Sequence, residues 1–138
     1  MAEKYVLDAC ALLAFIYKET GVDVVKSIFE YANNGDAEIF VNKINLFEVF
    51  YNVRRADGLL AAEAVYDKMM GLPIKIINAL SDEVFFEASR LKTSYKMSVA
   101  DCIALAEASV LGASLITSDH HEFDAVEQNE SINFTWIR

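Results

Sequence analysis

The chain has 138 residues, 54% hydrophobic and 24% charged, with 5 Gly and 1 Pro. That excludes disorder and allows a single domain, residues 1–138, with a core of its own. A net charge of −9 argues against a protein that grips nucleic acid by a broad basic face. Only 2 Cys, an early apolar run too short to span a bilayer and no small-residue cleavage site predict a reduced, cytoplasmic protein with no membrane partner.

Read in chain order, short strand-like runs alternate with helical patterns. Residues 4–9 (KYVLDA), 37–42 (AEIFVN), 73–77 (PIKII), 113–117 (ASLIT) and 132–137 (INFTWI) are rich in Val, Ile and aromatics, which suits strands. Several are almost continuously apolar, as strands covered on both faces of a parallel sheet must be. Between them, residues 21–35 place Val24, Val25, Ile28 and Phe29 on one stripe and stop at Asn-Gly. Residues 44–55 (INLFEVFYNVRR) and 59–71 (LLAAEAVYDKMMG) read as two further helices. Residues 81–95 open on Ser81 as a cap, and residues 98–112 run from Ser98 to a Gly112 stop. The alternation predicts a three-layer α/β/α fold with a mostly parallel central sheet of about five strands.

Four acids take special places on that frame. Asp8 ends the first strand inside an apolar run, where an isolated carboxylate costs several kcal/mol unless paired, hydrogen-bonded or metal-bound. Glu48 lies early in the helix after the second strand, Asp101 lies in the first turn of the helix opened by Ser98, and Asp119 follows the fourth strand. In a parallel sheet all four can face the carboxyl edge, where ligands bind. Each also has a structural explanation. Asp8 can cap a short helix, Asp119 can cap HHEFDAVE, and Asn45-Leu-Phe-Glu48 and Ser98-Val-Ala-Asp101 both read as capping boxes. Caps need not converge, however, and clustered carboxylates need a counter-ion, for which oxygen ligands favour Mg²⁺ or Mn²⁺.

Other chemistries lack support. His120 and His121, with Cys10 and Cys102, match no structural zinc spacing. No Gly-x-Ser-x-Gly elbow or phosphate-cradling glycine loop is present. A phospho-acceptor receiver domain has similar architecture, but its paired opening acids and its Lys after a late strand are missing.

The strand ending in Asp (YVLDACAL), the helical Asn-x-x-Glu (NLFEV), SVADCIALAEA and LITSD together resemble the PIN domain, and most closely its single-domain VapC-type toxin ribonucleases. The resemblance spans essentially the whole chain. It implies that Asp8, Glu48, Asp101 and Asp119 bind divalent metal and support hydrolysis of RNA, and that the partners are a cognate antitoxin and a second copy in a homodimer. The chain departs from the family pattern at Cys10, where Ser or Asn is usual. It departs again at Phe123, four residues after Asp119 rather than three. That shift leaves open which of Asp119, Glu122 and Asp124 face a metal, with Asp119 favoured as nearest the strand. RNA contacts would fall to scattered cations: Lys43, Arg54, Arg55, Lys92 and Lys96. The helix around Glu48 has almost no polar face, which points to burial inside the molecule or against another chain. The alternative is a catalytically weak PIN-like domain that binds RNA or protein.

Overall fold

The computed structural model describes residues 2–138. Five strands form one sheet: β1 (Glu3–Leu7), β2 (Ala37–Asn42), β3 (Lys75–Ile77), β4 (Ser114–Thr117) and β5 (Asn133–Trp136). Their spatial order is β3-β2-β1-β4-β5, and every neighbouring pair is parallel. Seven helices connect and cover them: α1 (Ala9–Ile16), α2 (Val22–Asn33), α3 (Lys43–Asp57), α4 (Leu59–Met70), α5 (Asp82–Ser94), α6 (Val99–Leu111) and α7 (His120–Asn129). The three-layer α/β/α architecture follows, with a sheet that is parallel throughout.

The side-chain alternation of the central strands divides the core in two. Leu7, Ile39, Val41 and Ile116 point into one layer with Leu12, Val25, Val49 and Met69 from α1 to α4. Val6 and Leu115 point the other way, onto Val84, Leu91, Leu105, Phe123 and Val126 from α5, α6 and α7. Both faces of the middle of the sheet are covered, which explains the consecutive apolar residues Tyr5-Val6-Leu7 in β1 and Leu115-Ile116 in β4.

The helix starts match the caps read from sequence, with one correction. Ser81 Oγ accepts from Val84 N–H at 3.2 Å, and Ser98 Oγ accepts from Asp101 N–H at 3.1 Å. Gly112 ends α6 with φ 63, the left-handed C-cap. Asn45, however, caps nothing. α3 begins one turn earlier, where Asn42 Oδ1 accepts from Ile44 N–H at 2.9 Å, and Asn45 is buried inside the helix.

The chain turns sharply between α1 and α2 at Gly21, whose φ is 99. A Cβ there would stand 2.6 Å from the Ile137 carbonyl oxygen. Gly58, with φ 93, opens onto empty space. Gly21→Ala is therefore expected to lower unfolding free energy by more than the roughly 1–3 kcal/mol of the strained backbone alone, and Gly58→Ala to stay near the low end. Urea denaturation that ranks the two variants equally would contradict this packing.

Candidate metal centre

β1 has β2 on one side and β4 on the other, so the chain changes direction across the sheet at β1. The crevice at such a point lies beyond the carboxyl ends of the strands. Asp8 follows β1 and Asp119 follows β4 by two residues, so the topology delivers both to this crevice.

Asp8 is fully buried. Its Oδ1 caps α1 by accepting from Ala11 N–H at 2.8 Å, while its Oδ2 is buried with no hydrogen-bond partner. The structural explanation is thus true of one oxygen and leaves the other available. Burial pushes the Asp8 pKa up to about 7, and the charges of Asp101 and Asp119 add to the rise. The Thr117 hydroxyl and the Ala11 N–H act in the opposite direction.

Asp119 repeats the arrangement, with Oδ1 capping α7 by accepting from Glu122 N–H at 3.1 Å. Thr117 Oγ1 accepts from Asp119 N–H at 3.1 Å and fixes the turn out of β4. Asp101, held in the first turn of α6 by the Ser98 cap, has its pKa pushed up to about 6. Burial is the largest cause, followed by the charges of Glu48, Asp119 and Glu122, against a hydrogen bond to Ser98. Glu48, on α3, is also raised, first by burial and then by Asp119. The four acids chosen from sequence therefore share one electrostatic neighbourhood.

Glu122 belongs with them. One carboxylate oxygen each from Asp101, Asp119 and Glu122 lie within 4.8 Å of one another. Glu122 Oε2 is buried without a hydrogen-bond partner. Its position three residues after Asp119 puts both on one face of α7, a signal present in the sequence. Asp124 goes elsewhere: its Oδ1 lies 2.8 Å from His120 Nδ1. His120 Nε2 lies 2.8 Å from the Arg138 carbonyl, and its ring stacks on Trp136 at 3.9 Å. The histidine is committed to tying down the end of the chain. Phe123 is fully buried in the core, and Cys10 Sγ lies 3.0 Å from Ser118 Oγ.

The donor set fits a divalent ion. It consists of hard oxygens, two of them buried and unpartnered, and oxygens around one small ion stand about 3–4 Å apart. Among the described residues no cationic side chain opposes the rise in the pKa of Asp8, Glu48 or Asp101. These residues would hold an ion of the Mg²⁺ or Mn²⁺ type, with Asp8 and Asp119 just beyond strand ends, Asp101 and Glu122 in the first turns of α6 and α7, and Glu48 on α3.

The profile of the PIN domain family matches residues 5–129. The chain belongs to the PIN domain family. Among solved structures, VapBC2 from Rickettsia felis, bound to a DNA fragment from its promoter, superposes with a TM-score of 0.75 at 18% identity, covering 96% of this chain and 97% of that one. DNA-bound VapBC from Salmonella typhimurium gives a TM-score of 0.73 at 13% identity over 100% of both chains. VapC20 from Mycobacterium tuberculosis, a toxin that cleaves the sarcin-ricin loop, gives 0.67 at 13% identity over 88% of this chain and 94% of that one. No curated protein matches the sequence.

The raised acids set the pH dependence of the metal-free protein. Asp8 has a folded pKa near 7 and Asp101 one near 6, against an ordinary value of 3.8 for both. The folded state then holds protons that the unfolded chain releases, so stability falls as pH rises from about 4 to about 7. For Asp8 the loss is on the order of 4 kcal/mol by pH 8. In EDTA the melting temperature should fall between pH 5 and pH 8, and Asp8→Asn should flatten that slope and melt higher at pH 8. A slope of opposite sign would contradict the burial of Asp8.

Proposed function

We propose that this chain is a metal-dependent endoribonuclease that hydrolyses RNA phosphodiester bonds, and that it acts as the toxin of a toxin–antitoxin pair in the cytoplasm. The observation that carries the reading is the gathering of carboxylate oxygens of Asp101, Asp119 and Glu122 within 4.8 Å of one another, beside the buried, unpartnered Oδ2 of Asp8. A full acidic set favours catalysis over a retired binding module, which has no need to maintain like charges at close range.

When bound, Mg²⁺ or Mn²⁺ supplies positive charge at the scissile phosphate and lowers the pKa of water at the site. Asp8 and Asp119 would hold that position from beyond the ends of β1 and β4, Asp101 from the first turn of α6, and Glu122 would close it from α7. Glu48, on α3, would complete the ligand set and orient the attacking water. No histidine is needed as base. RNA is captured mainly through its phosphate at the site, because bulk steering toward a chain of net charge −9 is poor. Lys43, Arg54, Arg55 and Lys96 are exposed cations for flanking phosphates, while Lys92 Nζ donates to the Met97 carbonyl at 2.6 Å.

The apolar surface of α3 supports the partner reading. Phe47 is 59% exposed, and with Leu46, Phe50, Tyr66 and Ile76 it lines a groove of about 230 Å³. A cognate antitoxin segment and a second copy of the chain are the proposed occupants of this side of the molecule.

RNA cleavage should appear with Mg²⁺ or Mn²⁺, vanish in EDTA and return when the metal is restored. Undiminished cleavage in EDTA, with metal content verified as nil, overturns the mechanism. Asp101→Asn should reduce cleavage about 100-fold or more while the metal-free protein melts no lower than the parent. In light scattering the parent should run as a dimer and Phe47→Glu should shift it toward monomer. A parent that stays monomeric at high concentration overturns the dimer.

A further inference from the structure

Among the described residues, one more carboxylate is buried outside the acid cluster. Glu107, in the middle of α6, is 4% exposed. Burial raises its pKa, Asn42 alone opposes the rise, and no acid of the cluster contributes. Its Oε2 accepts from Asn42 Nδ2 at 2.8 Å. The other end of the same amide, Asn42 Oδ1, is the cap that accepts from Ile44 N–H at the start of α3. One residue therefore ends β2, starts α3 and reaches across to α6. A turn further along, Asn45 Nδ2 donates to the carbonyl of Ala100, the residue before Asp101, at 3.2 Å.

α3 and α6 are thus pinned together at two levels, on the end of α3 that leads to Glu48 and on the helix that carries Asp101. The neighbours of Glu107 on α6 (Ala104, Leu105, Ala106 and Ala108) are all buried and apolar. An apolar residue would suit that place, since a buried carboxylate is costly and adds little stability even when paired. What the pair supplies is a defined geometry.

We propose that Glu107 is a positioning residue: through Asn42 it fixes the start of α3 and so holds Glu48 in register with Asp101 across the metal site. The inference rests on the metal-dependent reading above and adds a residue to it that touches neither metal nor RNA.

The test measures Mn²⁺ affinity by calorimetry, at a temperature where circular dichroism shows each variant folded. Glu107→Leu removes the acceptor and should weaken Mn²⁺ binding about 10–100-fold, whereas Glu107→Gln keeps an acceptor for Asn42 and should bind nearly as the parent does. Asn42→Asp retains the cap oxygen but sets two carboxylates face to face, and should also weaken binding. Adding Glu107→Gln to Asn42→Asp exchanges donor and acceptor across the same gap and should restore it. In a Glu48→Gln background, Glu107→Leu should have no further effect, because the ligand being positioned is gone. Equal losses in both backgrounds, or a lower melting temperature with unchanged affinity, would reduce Glu107 to a structural role and overturn the proposal. If Glu107→Leu does not fold, the exchange carries the test: failure to restore affinity overturns it. A parent that binds no Mn²⁺ removes the metal reading and this inference together, whereas a parent that binds it and a Glu107→Leu variant that binds equally well remove only this one.

Discussion

The structure depends on the mutual repulsion of carboxylates gathered at one end of a parallel sheet. Asp8, Glu48, Asp101 and the Asp119–Glu122 pair come from four different places in the chain, and the charge effects among them that raise Asp8, Glu48 and Asp101 are all unfavourable. Folding alone gains nothing from that convergence, and raised pKa values of about 7 and about 6 for Asp8 and Asp101 record its cost. A divalent ion would turn the same arrangement from repulsive to attractive, which is the electrostatic basis of the proposed metal site.

Helix capping makes the cluster tolerable while it is empty of positive charge. Asp8 and Asp119 each give one oxygen to an N-terminal N–H, which is both a hydrogen bond and a favourable end of a helix dipole. The second oxygen of Asp8 is left buried and unpartnered. Capping and ligation are therefore shared between the two oxygens of one carboxylate, and the choice between them posed by the sequence dissolves. Behind the acids, Asn42, Asn45 and Glu107 tie α3 to α6 through hydrogen bonds, and no acid of the site is among the causes of the raised Glu107 pKa.

Much of this was legible in the sequence because it is local. Runs rich in Val, Ile and aromatics mark the strands, and Ser81, Ser98 and Gly112 mark helix ends by their own chemistry. Asp8, Glu48, Asp101 and Asp119 stood out as acids at strand ends and helix starts. The errors came where two local readings competed or where contacts are long-range. Asn45 looked like a cap because Glu48 stands three residues later, yet Asn42 takes that role and Asn45 turns inward to Ala100. For Glu122 the sequence offers competing phases around Asp119, and the start of α7 at His120 selects the one that brings both acids together. Glu107 gave no signal at all, since its partner Asn42 lies 65 residues away and one buried Glu in an alanine-rich helix resembles a solvent-facing one.

The account stands most directly on where a metal ion sits. Crystals of the protein soaked in Mn²⁺ and measured for anomalous scattering should show a peak about 2.0–2.3 Å from carboxylate oxygens of Asp101 and Asp119, with Asp8 Oδ2 turned toward it. A crystal that binds Mn²⁺ only elsewhere, or leaves these carboxylates without a peak at saturating metal, would contradict the claim that the acids converge in order to hold an ion.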